Sequence, residues 1–199
     1  MKLYALYVMN NRDRSQEPFI ISSARDLSSF GYFQRSSVNE FLTFTARTVA
    51  KRVGAGRCAV KQDEHMIYAQ CSPDGYCVLA VCDEHYVSRV AFSMIASVCS
   101  DFEAGYRGKW EGATKDDVIT WKELEATLAK YQKPEEADKI LRLKKEIDET
   151  KVIMYQAVDD LLARGEKIDQ LVAKSDDLGA ASKTFYVQAK KTNSCCIIA

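Results

Sequence analysis

The chain has 199 residues, with 28 Lys and Arg cancelled by 28 Asp and Glu, and 47% of it is hydrophobic. That is enough for one domain with an extension or for two small domains, with material for a core. A neutral chain lacks the excess positive charge of a non-specific nucleic-acid binder. The longest apolar stretch, about Tyr76 to Cys82, is far shorter than the roughly 18 residues of a spanning helix.

Met1-Lys2 is followed by an apolar run that resembles a weak signal peptide, but it leads into Asn10-Asn11-Arg12-Asp13 with no small-residue cleavage site. It reads instead as a buried strand. Leu3 to Met9 and Pro18 to Ser22 form a hairpin pattern around a polar loop. Ser37-Val38-Asn39-Glu40 matches a capping box, and Val38, Phe41, Leu42, Thr45, Val49 and Val53 follow at helical spacing until Gly54. Three strand-like runs come next, Cys58 to Lys61, Met66 to Cys71 and Tyr76 to Cys82, the last two joined by the turn Pro73-Asp74-Gly75. Val87, Val90, Ala91, Met94, Ile95, Val98 and Phe102 then make a second core-facing helix ending at Gly105. The order β-β-α-β-β-β-α implies an α+β domain, a five-stranded, mostly antiparallel sheet with packed helices. Residues 105–120 read as a loop and Trp121 to Tyr131 as a short helix, with a boundary near Pro134.

From Ile140 onward the sequence has no proline and no strand signal. Apolar residues recur every three then four positions, the seam of a coiled coil. The seam runs Ile140, Leu143, Ile147, Thr150, Met154, Ala157, Leu161, Arg164, Ile168, Leu171, Ser175, Leu178, Ser182, Phe185, Ala189 and Thr192. Arg164 is its only ion. A single helix of about 80 Å cannot bury such a stripe alone. It must bind partner helices, fold back on the first domain, or stay disordered. Arg164 fits a seam ion that sets register and partner choice, and also an ordinary coiled coil whose Arg snorkels off the edge. Ile153, Val158, Leu162 and Val172 are apolar but off this seam, which suggests a second contact face. Phe44 lies off the stripe of the first helix and is read either as a groove residue for that face or as ordinary core.

None of the seven cysteines forms a C-x-x-C pair, so no metal site is expected, and the default is reduced, buried thiols. The terminus Cys196-Ile197-Ile198-Ala199 fits C-a-a-X, with Ala favouring farnesyl on Cys196. One lipid chain binds a membrane only marginally; Cys195 is a candidate for reversible palmitoylation as a second signal, or an unmodified neighbour. Two other classes fit poorly. Cys82-Asp83-Glu84-His85 crowds a thiol, acids and an imidazole without a nucleophile motif. A prenylated GTPase needs a Gly-rich phosphate loop after its first strand, where this chain has Asn10-Asn11-Arg12-Asp13-Arg14-Ser15.

Leu161-Leu162-Ala163-Arg164-Gly165-Glu166-Lys167-Ile168, with Phe185 on the seam and a lipidation tail, resembles the R-SNARE membrane-fusion proteins. The N-terminal element order resembles a longin domain. With Phe33-Gln34-Arg35-Ser36-Ser37-Val38 and Asn193-Ser194-Cys195-Cys196, the whole chain is similar to the prenylated longin-type R-SNAREs.

The resemblance implies a non-enzymatic protein without cofactor or metal. It divides the chain into a longin domain (1–110), a linker with a short helix (111–137), a long SNARE helix (138–194) and a lipidation tail (195–199). Arg164 would occupy the ionic central layer of a four-helix bundle with Qa, Qb and Qc helices. Zippering would drive vesicle-target fusion. The longin domain would fold back on the SNARE helix and hide the lipid in a soluble form. The protein would cycle between the cytosol and the cytoplasmic face of Golgi, vesicle, endosomal and vacuolar or lysosomal membranes. Disassembly and tethering factors are implied as partners, and nucleic acid is not. A lipid-anchored longin scaffold without fusion activity is the alternative.

Overall fold

A computed structural model describes residues 1–133 and 151–194. The expected strands are β1 (Leu3–Asn10), β2 (Ile20–Arg25), β3 (Gly56–Gln62), β4 (His65–Cys71) and β5 (Tyr76–Asp83). Helices α1 (Arg35–Arg52), α2 (Ser88–Tyr106) and α3 (Lys122–Lys130) complete the N-terminal part. The sheet has six strands, in the order β2-β1-β5-β4-β3-β6. The sixth, β6 (Val152–Tyr155), comes from the segment read as pure coiled coil, and it pairs in parallel with β3. All other pairings are antiparallel.

The two faces of the sheet carry separate cores. One is covered by α2 and α3, with Val90, Met94, Ile95, Val98 and Phe102 facing Leu6, Tyr68 and Val78. The other is covered by α1, through Val38, Leu42, Ala46 and Val49 against Tyr7, Ile67 and Leu79. β5 is buried along Tyr76 to Cys82 because it sits inside the sheet with helices on both sides, so its apolar run needs no alternation. Along β1 from Ala5 onward, alternate residues face alternate cores, and a register shift between Leu3 and Ala5 puts these two residues, two apart, into different ones.

Several local readings are corrected. α1 begins at Arg35, two residues before the expected capping box, and has no side-chain cap; Glu40 is used elsewhere, as described below. α2 runs through Gly105 to Tyr106. The linker packs along the β2 edge: Asp116 accepts from the Ile20 amide at 2.7 Å, and the Asp117 and Ile119 amides donate to Ile20 and Ile21 carbonyls. That covers a strand edge that would otherwise offer unpaired backbone groups. Cys58, Cys82 and Cys99 are free and buried, as expected. Cys71 and Cys77 instead form a disulfide, because the β4–β5 register sets them directly opposite, with Cα atoms 4.0 Å apart.

Candidate functional site at the docked C-terminal segment

Residues 151–194 take the second of the three routes open to a lone amphipathic stripe and fold back on the sheet. In place of one continuous helix they form β6, a 3-10 turn at Val158–Leu161, α4 (Ile168–Lys174) and α5 (Ala180–Ser194). Gly165, at φ 88°, makes the turn between the 3-10 turn and α4, and Gly179 precedes α5. Both glycines are poor helix formers, so the chain bends where its helical preference is weakest.

Val158, Ile168, Val172, Leu178 and Tyr186 are buried in one cluster with the α1 stripe. Of the off-seam residues, Val158 and Val172 are buried and Leu162 packs against the cluster, whereas Ile153 is exposed on β6. Of the seam residues, Ile168 and Leu178 are buried, Leu161 and Phe185 pack at the edge, Leu171 is half-buried, and Met154 and Ala189 are exposed. Ile140, Leu143, Ile147, Cys195 and Cys196 lie outside the described residues. Phe44 is half-buried at the rim of this core, beside Arg47 and Asp177, while Phe41 makes the ring contact with Tyr186, 5.1 Å between centroids.

The α1 helix also supplies a row of charges. Glu40 accepts from the Gly179 amide at 3.0 Å and from the Ser182 hydroxyl at 2.6 Å. Its carboxylate thus satisfies orphan donors at the start of α5 from a neighbouring helix, with the sign the helix dipole favours. Arg47 binds Asp177 at 3.3 Å and also Asp116 of the linker. Arg52 binds Glu166 at 2.9 Å, and Glu166 accepts from the Ala163 amide at 3.2 Å, which holds the turn bearing Arg164. Removing one end of the first contact tests its weight. Glu40→Ala should weaken α5 docking by about 1–2 kcal/mol, read as roughly tenfold faster amide exchange over residues 180–194.

Asp169 accepts from Tyr186 at 2.5 Å and from Lys190, tying α4 to α5. The Lys190 bond, then the Tyr186 bond, hold the Asp169 carboxyl below its ordinary value of 3.8. Burial, then its bond to Asp169, push the Tyr186 phenol above its ordinary value of 10.0. The signs set a window. A depressed acid stabilises the docked form above its free value and loses that contribution as pH falls through the docked value. A raised phenol contributes below its free value and loses that contribution as pH rises toward the docked one. Docking of α4 and α5 should therefore be firmest between about pH 4 and pH 10. Exchange or fluorescence titration of the Asp169→Asn variant should lack the acid limb.

Arg164 itself makes none of these contacts. It is exposed in the Ala163–Glu166 turn and has no ion-pair partner among the described residues. The suspected thiol–imidazole pair is not a pair either: Cys82 is buried and its thiol pushed well up by desolvation, while the His85 side chain is 75% exposed beside Glu84. Among the described residues no cluster could hold a metal ion, and no helix is long and apolar enough to cross a membrane.

Residues 27–127 match the longin, or regulated-SNARE-like, domain family, and residues 139–198 match the synaptobrevin family. The VAMP-like protein YKT61 of Arabidopsis thaliana is 45% identical over 199 residues, covering all of both chains. The synaptobrevin homologues YKT6 of Saccharomyces cerevisiae and ykt6 of Schizosaccharomyces pombe are 38% and 39% identical, also over the full length of each chain. The chain belongs to the longin-domain R-SNARE family. It is therefore an R-SNARE of vesicle trafficking, not an enzyme, and its SNARE segment acts by joining other SNARE helices in a bundle.

In this R-SNARE, sequence reasoning found the longin elements and the off-seam stripe but missed Tyr186 and β6. A signal for Tyr186 was present. Val158, Val172 and Tyr186 each follow a seam residue directly and are spaced by two heptads, which makes them a second stripe beside the first.

Proposed function

We propose that this R-SNARE alternates between the docked form and a bundle in which residues 138–194 zipper with one Qa, one Qb and one Qc helix. Arg164 supplies the ionic central layer. Ile140, Leu143, Ile147, Met154, Ala157, Leu161, Ile168, Leu171, Leu178, Phe185 and Ala189 fill the seam. Farnesylated Cys196, with palmitate on Cys195, anchors the chain to the bilayer. The docked form is the soluble one, in which the longin domain covers the SNARE segment and the lipid. Cycling between the two delivers the protein to Golgi, endosomal, vacuolar or lysosomal and autophagosomal membranes. Phe44 contributes to the groove for the docked segment. The domain limits are 1–110, 111–137, 138–194 and 195–199.

The observation that carries this reading is the division of labour within one segment. Val158, Val172 and Tyr186 dock together with the seam residues Ile168 and Leu178, while Arg164 sits in solvent and stabilises nothing in the docked form. A cation at the centre of an otherwise uncharged seam is accounted for by a partner that supplies acceptors. Mixing the full chain with three Q-SNARE helices should give a large cooperative gain in helical circular dichroism. No gain with any Q-SNARE set would remove the fusion reading and leave a lipid-anchored longin scaffold.

A further inference from the structure

The linker and the docked segment are held by opposite faces of the sheet. Trp121, Leu124 and Leu128 of the linker are buried in the core under α2, whereas the docked segment is buried in the core under α1. Arg47 bridges the two through Asp116 and Asp177. Undocking the segment breaks that ion pair to Asp177 and leaves the core that holds the linker as it is.

The far end of the linker is fastened by a specific device. β2 pairs with β1 only as far as Ala5, and the Asp26 amide donates to the Tyr4 carbonyl at 2.8 Å where the chain turns away. Leu3, fully buried, lies beyond that point. Its amide donates to Gln132 Oε1 at 3.3 Å, and its carbonyl accepts from Gln132 Nε2 at 2.6 Å. A side-chain amide has both an acceptor and donors, so Gln132 supplies both halves of a ladder rung. A buried peptide group needs such partners. The opposite amide flip would set donor against donor and acceptor against acceptor. One residue earlier, the Tyr131 carbonyl accepts from the Tyr86 hydroxyl at 2.7 Å. Tyr86 is buried in the loop between β5 and α2.

We propose that Tyr86 and Gln132 form a clasp that keeps the linker on the longin body when the SNARE segment is released, and so holds the longin domain at the Ile140 end of the bundle. Both are positioning residues. Lys133 to Ile140 is seven residues, at most about 25 Å of extended chain. A linker free from Arg107 onward would reach roughly 115 Å. A continuous helix of about 80 Å separates Ile140 from the lipid tail, so the clasp keeps the longin body away from the membrane surface. The clasp itself stands without the bundle; its consequence for the longin position rests on the bundle proposed above.

The test uses the full chain with Cys195 and Cys196 replaced by Ser and paramagnetic labels at positions 85 and 139. The segment is released in two ways, by Val172→Asp, whose buried carboxylate expels it from the core, and by adding Q-SNARE helices. In both, the labels should give one narrow population below about 40 Å, and amides of residues 119–132 should keep their exchange protection. Tyr86→Phe with Gln132→Met leaves Leu128 as the next anchored residue. The distances should then spread to about 55 Å, and amides of residues 129–133 should exchange about tenfold faster, with circular dichroism and β5 exchange unchanged. Gln132→Glu keeps the shape but cannot donate to the Leu3 carbonyl. It should act like Gln132→Met, which a space-filling role would not predict. Loss of linker protection together with the segment, a broad distribution in the released parent, or a double variant as narrow as the parent would overturn the proposal. Failure to assemble with Q-SNARE helices would remove the bundle reading alone, because the Val172→Asp chain still decides the clasp.

Discussion

Val172→Asp is expected to release residues 151–194 from the sheet while residues 1–133 stay folded. Val172 is 3% exposed, on α4, inside the cluster that joins the segment to α1. A carboxylate there has no partner, and its burial costs several kcal/mol, on the order of 3 or more. The interface has little to set against this. Its apolar part rests on Val158, Ile168, Val172, Leu178 and Tyr186. Its ion pairs are partly solvated, with the Asp177 and Glu166 side chains 60% and 41% exposed, and each contributes about 0–1 kcal/mol. Amides of residues 152–155 and 168–194 should exchange on the order of 100-fold faster. Those of β1, β4 and β5 should not change. A matching rise in β5 would mean that the sheet depends on the segment and that docking is not a separable step. The same variant should assemble faster with Q-SNARE helices, since the competing state is gone.

The converse prediction concerns Arg164→Leu. This change should leave the docked form as it is, because Arg164 is exposed in a turn and contacts no other element. Melting and exchange should stay within about 0.5 kcal/mol of the parent. In the bundle the effect should be large. A seam without its ion loses the feature that fixes register and partner number, so the variant should form complexes of mixed stoichiometry with the Q-SNARE helices, read by light scattering after chromatography. Together the two substitutions separate the roles: Val172→Asp acts on docking and speeds assembly only by removing the docked state, whereas Arg164→Leu acts on assembly alone. An Arg164→Leu chain with an altered docked form would show that the stripes are not distinct.

Both stripes run through the same segment, and this explains what the sequence made legible. The longin half was readable because its signals are local. Short apolar runs, a turn at Pro73-Asp74-Gly75 and helical stripes each fall within one element, and each forms close to where it was expected. The segment after residue 150 was harder. Val152-Ile153-Met154-Tyr155 is a four-residue apolar run, too short for periodicity to separate strand from helix. What decides it is the open edge of β3, a tertiary feature. The capping box at Ser37–Glu40 failed for a related reason. Glu40 finds better use for its carboxylate on Gly179 and Ser182, 139 and 142 residues away in the chain. The Cys71–Cys77 bridge likewise depends on strand register and not on spacing.

The central claim is that one segment holds two structures, a folded-back one and a continuous helix. A distance between paramagnetic labels at positions 156 and 187 tests it directly, in the full chain with Cys195 and Cys196 replaced by Ser. In the docked form Gln156 and Tyr186 line the same small cavity, so the labels should lie within about 20 Å, roughly the width of two packed helices. In a continuous helix the intervening residues span about 46 Å at 1.5 Å each. The account expects the short distance for the protein alone and the long one after Q-SNARE helices are added. A long distance in the free protein, or a short one that persists in the assembled bundle, would contradict it.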